Sequence, residues 1–310
     1  MCWALVLPPL AWAVVRGFGL ERGPLVQLLA FTPYVAVGSL APLLLMLVLR
    51  RWWAAGVAAV SALVLIGAVA PRALPGGSAA ADGPTVRVMT ANLLFGTADA
   101  AALVRLVRTE RVDLLALQEF TADAEATLDR LGLTELLPHR QTNPEAGASG
   151  SALYSRFPLS DGGARRNNEG GLRQAYATLH VPGAPPVLVE SVHPAAPYAL
   201  WKLPAWRADL AAQPPATPDG PLRILVGDFN ATLDHAPMRA LLRTGYVDAA
   251  AAVGAGLVGT WGPYDGDLIP PVTIDHVLVD KRIGVREVSV HPLAGSDHRP
   301  VLADLSLPAA

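Results

Sequence analysis

The sequence predicts a membrane segment of about three helices followed by one α/β or α+β layered domain, and two observations lead to this prediction. The first is an uneven distribution of charge, because only seven of the charged residues lie within the first 83 positions. The second is a change of pattern near residue 85, where long uncharged runs give way to short apolar strands that alternate with amphipathic helices. Such alternation favours packed layers over a barrel or a bundle.

The membrane segment, residues 1–72, contains three apolar runs that we expect to be transmembrane helices: 1–20, 25–49 and 52–70. The second run carries no charge and, at ~1.5 Å per residue, is longer than the roughly 30 Å hydrocarbon core of a bilayer. Arg16 interrupts the first run, for which a signal peptide is the alternative interpretation.

The arginines in this segment predict its orientation. Arg50 and Arg51 separate the last two runs, and the positive-inside rule keeps them in the cytoplasm. The domain is therefore expected on the extracytoplasmic side of the cell membrane, anchored by multi-pass helices. Arg16 and Arg22 count against this orientation and are offset only by Glu21.

A Pro- and Gly-rich linker at 73–84 is predicted to be a flexible tether, and the domain itself is expected to span 85–308. Alternation or short apolar runs predict its strands at 85–93, 113–120, 151–159, 174–181, 186–193, 221–230, 272–279 and 285–290. Amphipathic spacing predicts its helices at 98–109, 122–131, 199–212 and 235–242.

Composition excludes several classes of function. The single cysteine, Cys2, lies in the membrane segment, so the domain has no thiolate zinc site and no disulfide framework. Residues 84–310 carry a net charge of −5, whereas duplex-DNA binders usually carry a basic excess. The sequence also lacks the H-E-x-x-H, G-x-S-x-G and P-loop motifs.

Polar residues at or near the ends of the apolar strands are the candidate site. Desolvating such groups costs several kcal/mol unless they are paired or hold a cation, and ligand sites in open α/β sheets collect at strand ends. Carboxylates and amides without thiolates favour a hard cation, Mg²⁺ or Mn²⁺. The candidates are Asn92, Glu119, His193, Asp228, Asn230, Asp275, Asp297 and His298.

Six segments in order, TANLL, LQE, SVHPAAP, GDFNAT, TW…IDHVLV and SDHRPVLADL, resemble the endonuclease/exonuclease/phosphatase superfamily over Val86 to about Leu307. The resemblance implies a four-layer sandwich, in which two mixed β-sheets are flanked by helices. It also implies hydrolysis of a phosphoester that depends on Mg²⁺ or Mn²⁺.

The resemblance further implies roles for the candidate residues. Asn92, Glu119 and Asp297 match the metal-binding positions of the family, and His298 matches the histidine placed against the scissile phosphate. Asp275 matches the carboxylate that orients this histidine. Three further residues match groups around the phosphate and the attacking water: His193, Asp228 and Asn230. Asp228 and His298 are both candidates for the general base.

The sequence departs from the apurinic-endonuclease branch at Leu94, where that branch has an acidic residue, and from many members of the superfamily at His276, where they have a tyrosine. We therefore expect a membrane-tethered, nuclease-like phosphodiesterase. The alternatives are a phospholipid or sphingomyelin phosphodiesterase, a small-molecule phosphatase, and a catalytically inactive membrane scaffold. The expected partners are a phosphodiester substrate (nucleic acid or a phospholipid head group) and membrane lipid around the N-terminal helices, with no obligate protein partner evident.

Overall fold

The structure is a computed structural model that describes residues 2–77, 81–166, 171–262 and 269–310. Residues 78–80, in the middle of the predicted tether, lie outside the described residues. The N-terminal helices are α1 (Cys2–Phe18), α2 (Leu25–Leu29), α3 (Thr32–Gly38), α4 (Leu40–Val48) and α5 (Trp52–Val69), and α5 continues as a 3-10 turn over Ala70–Ala73.

The predicted single helix at 25–49 is divided into the three short helices α2, α3 and α4. The first division falls at Phe31, where the Thr32–Pro33 pair opens α3 with proline in its first turn, a position that needs no backbone donor. Within the described residues, only Trp52–Ala73 is a helix long and apolar enough to cross a bilayer. The expectation of three transmembrane helices is therefore not confirmed.

The N-terminal helices nevertheless pack as three antiparallel segments. Val6 of α1 packs with Met46 and Ala54 at one end of the group, and Ala13 packs with Leu65 at the other end. As a result, α1 and α5 run in one direction and the broken segment between them runs back.

The domain contains twelve strands among its described residues. They are β1 (Thr85–Asn92), β2 (Leu114–Gln118), β3 (His139–Asn143), β4 (Ser151–Ser155), β5 (Leu159–Arg166), β6 (Arg173–Leu179), β7 (Val187–Val192), β8 (Leu222–Asp228), β9 (Tyr246–Asp248), β10 (Asp275–Asp280), β11 (Gly284–Val290) and β12 (Val301–Ser306). Its helices are α6 (Ala100–Thr109), α7 (Ala122–Arg130), α8 (Leu133–Leu136), α9 (Leu203–Ala211), α10 (Ala236–Leu242) and α11 (Ala249–Ala252).

The strands form two six-stranded mixed sheets, in the orders β11-β12-β1-β2-β4-β3 and β5-β6-β7-β8-β10-β9. The inner faces of both sheets bury one aliphatic core, which includes Val88 and Ala116 from the first sheet and Ile224 and Val277 from the second. Helices α6 to α8 cover the outer face of the first sheet, and α9 and α10 cover the second. The α/β sandwich predicted from the sequence is confirmed.

The strand predictions differ from the structure in three places. The segment 151–159 is divided between β4 of the first sheet and the first residue of β5 of the second, because the chain leaves β4 before Pro158 and enters β5 after it. The strand predicted at 272–279 begins only at Asp275, so Asp275 starts this strand instead of ending it. The short or polar strands β3 and β9, and the terminal strand β12, were not predicted.

A buried ion-pair cluster fixes the N-terminal helices to the domain. The carboxylate of Asp234, fully buried, lies 2.5 Å from Nε of Arg16 and accepts two hydrogen bonds from Arg72, at 2.6 and 2.8 Å. Burial alone raises the pKa of Asp234, but the hydrogen bonds and charges of Arg72 and Arg16 outweigh it and lower the pKa. Both arginines therefore sit at the domain end of the helices, opposite to Arg50 and Arg51.

The ends of the predicted tether are hydrogen-bonded to the domain. The backbone N–H of Gly76 donates to the carbonyl of Ala252 at 3.0 Å, and the N–H of Gly83 donates to that of Leu307 at 2.9 Å. A Cβ at Gly83 would lie 2.5 Å from the Leu307 oxygen, so this close approach requires glycine. The contacts on both sides of residues 78–80 hold the helices and the domain together.

Candidate active site

The sheet topology brings the candidate residues to one edge of the sandwich. The pairs β1/β2 and β7/β8 are parallel, so their carboxyl ends meet there. The antiparallel partner β10 contributes its first residue, since Asp275 pairs in register with Asp228. The structure gathers all eight predicted residues at this edge through the hydrogen bonds and ion-pair contacts described below.

Asn92 connects the two sheets at the base of the site. Its side-chain nitrogen donates to Oε1 of Glu119 at 3.1 Å and to Oδ2 of Asp228 at 3.0 Å. Its side-chain oxygen accepts from the N–H of Leu94 at 3.0 Å. In this arrangement Asn92 holds the two carboxylates, and its role as a metal ligand stays a prediction.

His298 and Asp275 form a buried hydrogen-bonded pair. Nδ1 of His298 lies 2.9 and 3.1 Å from the two Asp275 oxygens, and Nε2 points toward Asp228, 3.6 Å from its Oδ2. Burial by itself lowers the pKa of His298, but the charges of Asp275 and Asp228 outweigh it and raise the pKa to about 10. The imidazole is therefore cationic at neutral pH and suited to donate toward a phosphate oxygen.

Asp228 occupies the centre of the site. Its Oδ1 accepts from the backbone N–H of Asn230 at 2.8 Å, and its Oδ2 lies 3.7 Å from Nε2 of His193. Burial raises the pKa of Asp228 even though the His298 charge opposes it. Burial also lowers the pKa of His193, which stays neutral. A carboxylate with a raised pKa is a better proton acceptor than an ordinary one.

Two site residues have a left-handed backbone. Glu119 has φ of 55° and Asn230 has φ of 48°. Asparagine tolerates this region, whereas glutamate adopts it rarely. The turn at Glu119 directs its Oε2 to the N–H of Phe95, at 2.7 Å. We infer that the unfavourable backbone conformation is retained because it orients this carboxylate toward the site.

The oxygen donors of the site fit a divalent cation. Asp297 Oδ1 is buried and has no hydrogen-bond partner in the part of the chain that the structure describes, while its Oδ2 accepts from Trp261 Nε1 at 2.9 Å. Glu119 and Asp297 line the same cavity. Asp228, Asp275 and His298 also offer atoms within 4.8 Å of one another, a second arrangement that could hold a metal. In that second arrangement the Asp275 carboxylate already has a hydrogen-bond partner, Nδ1 of His298.

The departure at His276 has a structural explanation. Its Nδ1 lies 2.7 Å from Oδ2 of Asp248 and its Nε2 lies 2.9 Å from the carbonyl of Ala231, so both ring nitrogens meet acceptors. Burial lowers the pKa of His276, but the hydrogen bond and charge of Asp248, the hydrogen bond to Ala231 and the charge of Asp275 together outweigh it and raise the pKa. This histidine is therefore a buried support beneath the GDFNAT loop.

The cavity at the candidate site has walls that the sequence did not predict. Its volume is about 530 Å³, and besides the polar groups it is lined by Val26, Gln27, Ala30 and Phe31 from the N-terminal helices. Within the run 25–49, the Thr32–Pro33 pair is the sequence signal that could have revealed a bend at this wall.

A known protein family combines a two-sheet sandwich with a buried polar cluster at one edge. Residues 89–298 match the Endonuclease/Exonuclease/phosphatase family. Since the match covers more than half of the chain, the protein belongs to this family.

Solved structures share the fold at low sequence identity. An endonuclease/exonuclease/phosphatase from Beutenbergia cavernae is 20% identical, with a TM-score of 0.58 and 72% of each chain covered. Sphingomyelinase C from Streptomyces griseocarneus is 16% identical, with a TM-score of 0.50 over 71% of this chain and 99% of that one. A mannosyl-6-phosphatase from Bacteroides thetaiotaomicron is 16% identical, with a TM-score of 0.54 over 72% and 100%. No curated protein sequence matches the chain.

Proposed function

We propose that the protein is a membrane-anchored phosphodiesterase that depends on a divalent cation, Mg²⁺ or Mn²⁺. One observation carries the proposal: Asp228 lies at the centre of a buried group in which Asn92, His193 and His298 all direct a nitrogen toward it. Structural stability does not require two histidines and an amide around one carboxylate at the floor of an open cavity. The family and its solved relatives, which include a sphingomyelinase and a phosphatase, support a phosphoester substrate.

The residues divide the work of hydrolysis among them. Asp228 accepts the proton of the attacking water, whose oxygen bonds to phosphorus as the bond to the leaving oxygen breaks. His298, held by Asp275, donates toward the phosphate oxygen on which negative charge develops. The side-chain amide of Asn230 and His193 hold the phosphate from the other side. The leaving oxygen takes a proton from solvent.

Glu119 and Asp297 are the proposed metal ligands, because both present carboxylate oxygens to the cavity. A bound divalent cation supplies charge neutralisation at the phosphoryl oxygens. Asn92 acts here as a positioning residue, since its amide nitrogen holds Glu119 beside Asp228.

Metal removal tests the proposal. We expect the full chain, in detergent micelles, to hydrolyse bis-p-nitrophenyl phosphate with Mg²⁺ or Mn²⁺, to lose this activity in EDTA, and to regain it when the metal is restored. Release of p-nitrophenolate is the measurement, and the Asp228→Asn variant, purified in parallel, controls for contaminating phosphatases. Undiminished activity after exhaustive chelation would contradict the metal assignment, and no hydrolysis with any divalent metal would contradict the function.

Exposed apolar surface supports anchoring in a membrane. About two thirds of the exposed large apolar side chains of the described residues belong to the first 64 positions, far more than a soluble surface tolerates. Trp52 and Trp53 are strongly exposed beside Arg50 and Arg51, as expected of a membrane–water interface. We propose three passes with the domain outside the cytoplasm. Arg16, which counts against this orientation in the sequence, is held in a buried ion pair with Asp234.

Cysteine labelling tests this orientation. Cys2 is the only cysteine, so a Cys2→Ser chain is a clean background for single exposed cysteines at Ala310 and Leu49. In intact cells, a membrane-impermeant maleimide is expected to label Ala310→Cys and to label Leu49→Cys only after lysis. The reverse pattern, measured by mass shift on gels, would place the domain in the cytoplasm.

A further inference from the structure

The catalytic cavity is completed by the N-terminal helices, and hydrogen bonds hold this wall in place. The side chain of Gln27 donates to the carbonyl of Pro197 at 2.7 Å. Nδ1 of His235 accepts from the N–H of Thr232 at 2.9 Å, so its Nε2–H donates to the carbonyl of Val26, at 2.7 Å. Val26 itself is fully buried in the core of the domain. The active site therefore opens beside the membrane helices, not on the far side of the domain.

An apolar path leads away from the catalytic groups along these helices. A second cavity, of about 550 Å³, lies between α3, α5 and the domain, and it shares Ala30 and Val272 with the catalytic cavity. Its helical walls include Val37, Ile66 and Val69. Sites of this size accommodate a molecule of several tens of atoms. Both cavities have mainly apolar walls. The catalytic groups line part of the first, and the paired side chains of Arg72 and Asp234 line part of the second.

The mouth of the catalytic cavity is also apolar. Phe95, Tyr198 and Ile269 line the cavity and are 54%, 65% and 51% exposed. Trp201 stacks edge-on against Tyr198, with ring centroids 5.8 Å apart, and the Lys202 ammonium lies 4.7 Å from the Trp201 ring centroid. Exposed aromatic rings with an adjacent cation are typical of surfaces at the lipid head-group level.

We propose that the substrate is a phosphate ester of a membrane lipid, with its phosphate at the catalytic groups and an acyl chain along Ala30, Phe31 and Val272. This inference rests on the proposed function and narrows its substrate class. An apolar path beside membrane helices can bury an acyl chain. It provides no favourable contact for a polynucleotide, because the polynucleotide backbone is charged throughout. The acidic net charge of residues 84–310 is likewise unfavourable for a nucleic acid.

Blocking the path tests the inference. Ala30 is shared by both cavities, and Ala30→Trp would fill the connection between them; Leu28→Trp places the same side chain on an exposed face two residues earlier. Full chains are assayed in mixed micelles on phosphatidylglycerol with 6-carbon or 16-carbon acyl chains, and on bis-p-nitrophenyl phosphate. The readout is the ratio of kcat/KM on each lipid to that on the chromogenic diester.

We expect the wild-type ratio to be at least about tenfold higher for the 16-carbon lipid than for the 6-carbon lipid, since each buried methylene favours binding. Ala30→Trp is expected to remove this preference, and Leu28→Trp is expected to retain it. Hydrolysis of the chromogenic diester or of DNA without hydrolysis of either lipid would overturn this inference and leave the proposed function standing. Equal ratios for both chain lengths in wild type would also overturn it. Inactivity on all substrates would instead contradict the proposed function.

Discussion

Replacement of His298 by glutamine is expected to lower kcat on bis-p-nitrophenyl phosphate by about 10²–10³, the usual cost of removing a positioned donor to the negative charge of the transition state. Glutamine retains a hydrogen-bond donor but removes the positive charge that Asp275 and Asp228 maintain on the imidazole. Added Mg²⁺ or Mn²⁺ should not restore the rate, because the proposed metal ligands are intact in this variant. The measurement is kcat as a function of metal concentration.

Two further variants make this result interpretable. Asp275→Asn is expected to cause a smaller loss than His298→Gln, because it removes the group that orients the ring while leaving the ring itself. His291→Gln is the matched control, since His291 contacts only Ser289 and Pro300 among the hydrogen bonds of the described residues and lies outside the cavity. Recovery of His298→Gln by high metal concentration would show that the residue serves the cation and not the phosphate.

Replacement of Glu119 by glutamine is expected to have the opposite dependence on metal. The change preserves size and the contact with Asn92 but removes the charge that a divalent cation requires. Loss of a partner that merely orients a ligand costs roughly 10–100-fold in metal affinity, so loss of the ligand charge should raise the metal concentration for half-maximal rate at least about tenfold. Part of the lost rate should return at high Mg²⁺ or Mn²⁺.

The control for this variant is Glu287→Gln, an equal change of charge at an exposed position of β11. It should leave the metal dependence unchanged. If Glu119→Gln lost activity without any change in the half-maximal metal concentration, the carboxylate would have a role other than metal binding, and Asp228, Asp275 and His298 would become the better candidate cluster.

Much of the fold and the grouping of the site followed from the sequence, because the signals were local. A buried strand that ends in Asp228 and Asn230 places polar groups at a sheet edge whatever the rest of the fold is. The strand β12 was harder to predict. It begins at Val301, directly after the segment that contains Asp297, His298 and a proline, and this segment was interpreted only as a motif. The left-handed backbone at Glu119 has no sequence signal, because it is imposed by tertiary contacts.

The wall formed by the N-terminal helices could not be predicted, and the reason is physical. An apolar residue such as Val26 has the same character whether it faces lipid or the core of a protein, so hydropathy cannot distinguish the two environments. The same ambiguity concealed the partner of Arg16, which was counted as an unfavourable charge. Only the three-dimensional structure reveals that Asp234, more than 200 residues later, forms a buried ion pair with it.

The ion-pair cluster at Asp234 means that the N-terminal helices act as an intramolecular ligand of the domain. A tethered ligand is present at an effective concentration on the order of millimolar, whatever the concentration of the protein. A fragment beginning near residue 84 loses that ligand, and its Asp234 must either remain buried without Arg16 and Arg72 or become hydrated. Removing the partners of a buried charge costs about 3–5 kcal/mol. Such a fragment would also lack one wall of its cavity, so we expect its substrate preference to differ from that of the full chain.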